Sequence, residues 1–217
     1  MRAFIHRYLD PAGRLGEILF GLVMALGFTG SVRLGLDDPD NRELFVGILG
    51  CNLAWAIVDG VMYVLTELFE RGRRARLVRE VHAARSDEEA IGRIASELDG
   101  RLGLLETTAD RDTFHRWMLE LVRRAQPVAP GIRREDVLGG VAVALVILLA
   151  TLPVVVPFLL VRDPDLAVRV SNGVALTLLF LLGASWGRTV GGRPWRIGAG
   201  LTGVGIVLVL ITIALGG

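Results

Sequence analysis

The chain has 217 residues, 52% of them hydrophobic, with a mean hydropathy of +0.52 and a formal net charge of +1. That balance offers no basic excess on which a nucleic-acid partner could be argued, and a soluble domain of this length would not need several long uncharged runs. The single cysteine, Cys51, excludes an intrachain disulfide and, lying inside an apolar run, reads as a small buried hydrophobe.

Residues 1–14, MRAFIHRYLDPAGR, are polar and precede the first apolar run, Leu15–Val32. No small-residue cleavage site follows at Val32, so this run reads as a retained helix and not a signal peptide. The second run, Leu44–Leu68, is interrupted by Asp59 and Glu67. The third, Val137–Val161, has no charged side chain at all. At about 1.5 Å rise per residue it is long enough to cross a hydrocarbon core of roughly 30 Å. Pro153 and Pro157 fall within it, remove two backbone donors and predict a kink. Val170–Gly187 and Ile197–Gly217 complete five spans. The expected fold is an all-α integral membrane protein: five transmembrane helices with a three-helix cytoplasmic insert between spans two and three. Its parts are a cytoplasmic N-terminus at 1–14, spans one and two at 15–69, the insert at 70–136 and spans three to five at 137–217.

The insert reads as a helix continuing span two through Arg71–Ala84, then two capped helices. Ser86-Asp-Glu-Glu89 has the form of a capping box, and Gly100 supplies a stop. Thr107-Thr-Ala-Asp110 opens the third helix, which ends before Pro127 and carries an apolar stripe of Phe114, Met118, Leu121 and Val122. Asp112, His115 and Met118 step at i+3 along it, a spacing compatible with either a metal site or a solvated face. About 65 residues make a small independent core, so the insert is expected to pack on a second copy or on the membrane face.

All 24 basic residues are arginine. They concentrate at the N-terminus (Arg2, Arg7, Arg14), after span two in ERGRRARLVRE, and between spans four and five (Arg188, Arg193, Arg196). The stretches between spans one and two (RLGLDDPDNRE) and between three and four (RDPD) are net acidic. The positive-inside rule then places the N-terminus in the cytoplasm and the C-terminus outside. The absence of lysine points to a GC-rich bacterial genome and hence the inner membrane.

Ionisable residues at membrane depth are costly and default to functional hypotheses. Asp59, Tyr63 and Glu67 follow one slowly drifting face of span two, with Met62 three residues from Asp59. Such a face can carry a divalent transition metal, or a proton on Asp59. Span one adds Met24 and, near its cytoplasmic end, Glu17. The alternatives are a structural pairing for Asp59, packing roles for both methionines, and interface charges at Glu67 and Glu70 beside Arg71, Arg73 and Arg74. Ser171 and Asn172 can hydrogen-bond across helices, and the small-xxx-small pattern of Gly183–Gly187 and of GRPWRIGAGLTGVG reads as helix packing or dimerisation. No nucleophile–base set, H-E-x-x-H, CxxC pair or phosphate loop is present, which argues against an enzyme.

Two spans, a helical insert and three further spans resemble the vacuolar iron transporter family. The likeness is best in SNGVALTLLFLLGASWGRTVGGRPWRIGAGLTGVGIVLVLITIALGG, similar to that family's last two spans. GEILFG at Gly16–Gly21, the proline pair Pro153 and Pro157, and the position of Glu67 add to it. Where that family's first span carries an Asn-Asp-Gly signature, this chain has Val23-Met24-Ala25. The resemblance implies a homodimer in the bilayer that moves Fe²⁺ or Mn²⁺ in exchange for protons, with the metal as cargo and no resident cofactor. Asp59 would bind the metal or the coupling proton, Met62 and Met24 would be soft ligands, and Glu67 with Glu17 would face the cytoplasmic entry. The alternative is a membrane scaffold or regulatory protein that keeps the fold without the path.

Overall fold

The structure, a computed structural model, describes residues 4–5, 8–34, 40–98, 108–129 and 131–214. Arg2, Arg7, the acidic stretch 35–39, Gly100 and Thr107, which carry topology or capping assignments above, lie outside the described residues. The elements in chain order are α1 (Pro11–Leu34), α2 (Asn41–Ala83), α3 (Asp87–Leu98), α4 (Thr108–Arg124), α5 (Arg134–Val155), α6 (Pro157–Leu160), α7 (Pro164–Thr189) and α8 (Pro194–Ala214). No strand occurs among the described residues. Four helices among them are long and apolar enough to cross a membrane: Pro11–Thr29, Asn41–Ala83, Arg134–Leu160 and Pro164–Thr189. The chain divides into two compact units, one of Met1–Tyr63 with Val137–Gly217 and one of Val64–Asp136.

The first unit buries Leu22 and Leu26 of α1 against Leu44 and Ile48 of α2, Val154 of α5 and Leu179 of α7. A second cluster joins Ala56 of α2 to Ala142, Val143 and Ile147 of α5. Its outer surface is apolar as well: Val58 and Val61 of the α2 run are about half exposed, and Leu160 is 77% exposed. In water each exposed apolar Å² forgoes about 25 cal/mol, so a surface of this kind is compatible with a lipid environment. Cys51 is exposed, contrary to the buried role expected for it. Its neighbour Asn52 takes the fully buried position, because on a helix adjacent residues point about 100° apart.

Polar side chains tie the helices together where apolar packing alone gives no directional preference. The Thr29 hydroxyl lies 2.7 Å from Asn172 Oδ1, joining α1 to α7, and Ser171 Oγ donates to the Val154 carbonyl at 2.7 Å. Both of the cross-helix partners expected in span four therefore bond. Thr151 Oγ1 of α5 lies 3.1 Å from Asn52 Oδ1, while Asn52 Nδ2 donates to Ile48 O. Thr151→Val keeps the shape but leaves Asn52 Oδ1 without that donor in an apolar interior. It is expected to lower stability in detergent by about 1 kcal/mol, read from a thermal or denaturant unfolding curve; an unchanged midpoint would mean that Asn52 is held by other means.

The third run is interrupted where the prolines predict a kink. α5 stops at Val155 and α6 opens at Pro157, with Val156 N still donating to Leu152 O at 3.2 Å. Ser171 reaches the Val154 carbonyl at this break, beside the proline that lacks an N–H. α7 begins with Asp163 accepting from Leu166 N at 2.7 Å and Pro164 in the first turn. It ends in a Schellman turn: Gly191 has φ +71°, and Gly192 N donates back to Gly187 O.

In the second unit the end of α2 packs with α3 and α4 through Val81, Ala90, Ile94, Leu119 and Val122. The serine half of the capping box forms, with Glu89 N donating to Ser86 Oγ at 3.2 Å, while Glu89 Oε2 reaches one residue further back and accepts from Arg85 N at 3.0 Å. Its neighbour Glu88 is held below the usual carboxylate range by its own backbone N–H and the Ser86 hydroxyl. That support is present above the unfolded-state value and fades as pH falls through the folded one. The apolar stripe of α4 differs from the expected one. His115, Leu119 and Val122 face inward with Met118 beside them, whereas Leu121 is 42% exposed and Phe114 is only partly covered, its ring near Trp117. The reason is one of phase: His115 and Leu119 at i+4 share the face that Val122 fixes. His82 Nε2 lies 3.2 Å from both Val122 O and Arg123 O.

Asp136, 4% exposed, anchors the other end of this unit. Its carboxylate receives both terminal nitrogens of Arg71 (2.6 and 3.0 Å) and the backbone N–H of Arg133 at 2.8 Å, while Arg71 also donates to Gly131 O. A bidentate pair adds geometry as well as charge. Arg71→Met removes the partner of a covered carboxylate and is expected to lower the melting temperature by several degrees, with Asp136→Asn in the same background restoring part of it. No coupling between the two substitutions would show that the pair does not stabilise the unit.

Candidate functional site

Two acidic side chains of the first unit face one another from separate helices. Glu17 of α1 and Asp59 of α2 are each half-buried, and their carboxyl groups lie close enough to interact with each other. An ionised carboxylate can only accept, so a hydrogen bond between two such groups requires a proton on one of them. Two acids so placed can share one proton, and a divalent cation can neutralise them in the proton's place.

The local packing explains the placement. α1 and α2 run antiparallel, so that one turn up from Glu17, Phe20 stacks on Trp55, one turn before Asp59; the ring centroids are 5.2 Å apart and the planes 3° from parallel. The stack covers one flank of the carboxyl pair. The buried indole N–H of Trp55 has no hydrogen-bond partner of good geometry among the described residues, and Asp59 is the nearby acid with which it interacts. On the other side of α2, Gly60 packs so close to α5 that a Cβ there would lie 2.8 Å from Gly140 O. That approach presses Ala56 and Gly60 into α5 and leaves Asp59 turned toward α1. Tyr63 continues this face, its hydroxyl donating to Tyr8 O at 3.2 Å and its ring against Gly139.

Of the residues selected from the sequence, Glu17 and Asp59 come together. Met24 sits on α1 two turns from Glu17, about 10 Å along the axis, and is partly buried. Met62 is 53% exposed on the outer surface of α2. Glu67 belongs to the second unit, where it interacts with Arg71. Among the described residues no group of three or more His, Cys, Asp or Glu side chains is arranged to hold a metal, and the triplet of Asp112, His115 and Met118 separates into an exposed acid and a packed histidine. The Phe20–Trp55 stack and the polar trio of Thr29, Asn52 and Thr151 were not anticipated. Asn52 within the apolar LGCNLAWA run was the available signal, since an amide at that depth must find a partner. No protein-family model and no curated protein matches this chain.

Proposed function

We propose that the protein is an integral membrane transporter of a divalent metal, Fe²⁺ or Mn²⁺, coupled to protons, with Glu17 and Asp59 as the groups that exchange one for the other. The observation that carries this reading is the carboxyl pair itself: two acids contributed by separate apolar helices, close enough to interact and set beside an aromatic stack. Carboxylates suit hard divalent cations, and a group that must release a proton to bind a cation provides exchange coupling. The uncharged stretch of α8 after Arg196 supports a fifth span. The arginine distribution supports a cytoplasmic N-terminus and insert in a bacterial inner membrane. The likeness of the last two spans to the vacuolar iron transporter family supports a homodimer.

A second reading, a membrane scaffold that keeps the fold without the path, is favoured by one observation. The pair has no third His, Cys, Asp or Glu beside it among the described residues, and Met62 faces outward. Metal uptake into proteoliposomes carrying a metal-sensitive dye, with a pH gradient imposed, separates the two. Gradient-dependent entry of Mn²⁺ or Fe²⁺ supports transport. Absence of entry from folded, reconstituted protein supports the scaffold.

A further inference from the structure

A cavity of about 490 Å³ lies in the first unit between α1, α5 and α7, apart from Glu17 and Asp59. Its walls are apolar, with Ile18 and Leu22 from α1, Ala150 from α5 and Leu178 from α7; its polar lining groups are Arg14 and Ser185. These two mark the same end. The Thr29–Asn172 bond fixes α1 and α7 as antiparallel, with the C-terminal part of α1 beside the N-terminal part of α7. Arg14, two turns before Leu22, and Ser185, two turns after Leu178, therefore share the opposite end, roughly 10–12 Å from the apolar floor. Arg14 donates to Leu9 O at 2.8 Å and has no carboxylate within ion-pair distance among the described residues. A guanidinium has five N–H donors, so most of its capacity is open to a ligand. Arg188, one turn beyond Ser185, adds a second positive charge at that end.

We propose that this cavity holds an acyl chain of an anionic bilayer phospholipid, with the lipid phosphate on Arg14 and the headgroup hydrogen-bonded to Ser185. The shape and chemistry ask for an amphiphile: apolar walls as deep as about half a leaflet, closed at one end by a cation without an acidic partner among the described residues. A small soluble anion would leave the apolar walls empty, and a neutral apolar molecule would leave Arg14 uncompensated at the edge of the hydrocarbon. An anionic lipid satisfies both. The proposal rests on the membrane reading given above.

The test is native mass spectrometry of the full chain in detergent micelles, offered equal amounts of phosphatidylglycerol and phosphatidylcholine with the same acyl chains. The wild type is expected to retain the anionic lipid over the zwitterionic one by about fivefold. Arg14→Gln is expected to abolish the preference while some lipid remains. Ala150→Phe, which fills the cavity, is expected to reduce retention of both lipids, and Leu178→Phe serves as a second filling variant should the first be poorly folded. Equal retention of the two lipids by the wild type overturns the proposal, as does a preference unaltered by Arg14→Gln. Detergent phase separation distinguishes the underlying failure: protein recovered in the aqueous phase would remove the membrane reading itself, whereas protein in the detergent phase without lipid preference removes this proposal alone.

Discussion

Asp59→Asn is expected to reduce pH-gradient-driven Mn²⁺ uptake by at least about tenfold, while leaving the protein folded. The amide is isosteric with the carboxyl group and can donate a hydrogen bond to Glu17, so the α1–α2 contact and the Phe20–Trp55 stack lose little. What it loses is the second negative charge that a divalent cation requires and the exchangeable proton that couples its entry. Perturbing even the outer partners of a metal ligand typically costs 10–100-fold in affinity, and removing one of two charged groups should cost no less. Glu17→Gln is expected to behave alike, and the double variant no worse than either single one, because the two acids act as one unit. The measurements are dye-reported uptake with and without the gradient, and a melting curve for each variant. Uptake by Asp59→Asn equal to wild type would remove the pair from any path. A large loss of melting temperature in the same variant would instead identify Asp59 as a structural residue.

The architecture of the first unit was largely legible in the sequence, because apolar periodicity and length are local signals. The absence of charge over Val137–Val161 marks a helix whatever its neighbours do, and the prolines at 153 and 157 place its break within a residue or two. Partnership was legible only where chemistry left a polar group with few options. Ser171 and Asn172 needed acceptors or donors in an apolar run and found them on α5 and α1. Glu17 and Asp59 were singled out for the same reason, but their meeting depends on the antiparallel register of α1 and α2. That register is fixed by contacts forty residues apart in the chain and has no local signature. Met62 shows the limit of spacing arguments. It lies at i+3 from Asp59, which makes it a helical neighbour, yet an offset of about 300° around the axis also lets it point to the outer surface, and there it is 53% exposed. The stripe on α4 held for Met118 and Val122 and missed for Phe114 and Leu121, for a related reason. Apolar residues occur on more than one face of RDTFHRWMLELVRRA, and the choice between the Phe114–Leu121 and His115–Val122 faces is made by Val81 and Ile94 on other helices.

Gly183→Ile is expected to separate α7 from α8 and to lower stability by at least about 1–3 kcal/mol, the usual cost of overpacking. A Cβ at Gly183 would lie 2.8 Å from Ile197 O and 2.9 Å from Gly198 Cα, and a Cβ at Gly198 would lie 2.8 Å from Phe180 O. These are backbone atoms, so no rotamer change can relieve the contact and one helix must move. Gly187 repeats the pattern one turn on, against Pro194 Cα. The spacing of Gly183 and Gly187, which by itself is equally consistent with dimerisation, is therefore occupied within the chain by α8, and the close approach lets the two helices gain dispersion contacts along their length. Gly173 on the same helix provides the internal control. Nothing lies within 4 Å of a Cβ there, so Gly173→Ala should stabilise the helix by up to about 1 kcal/mol through propensity alone. Opposite shifts in the unfolding midpoints of these two variants, measured by circular dichroism in one detergent, would assign Gly183 to intrachain packing. A Gly183→Ile protein that melts like wild type but no longer associates would assign the glycine face to the contact between copies.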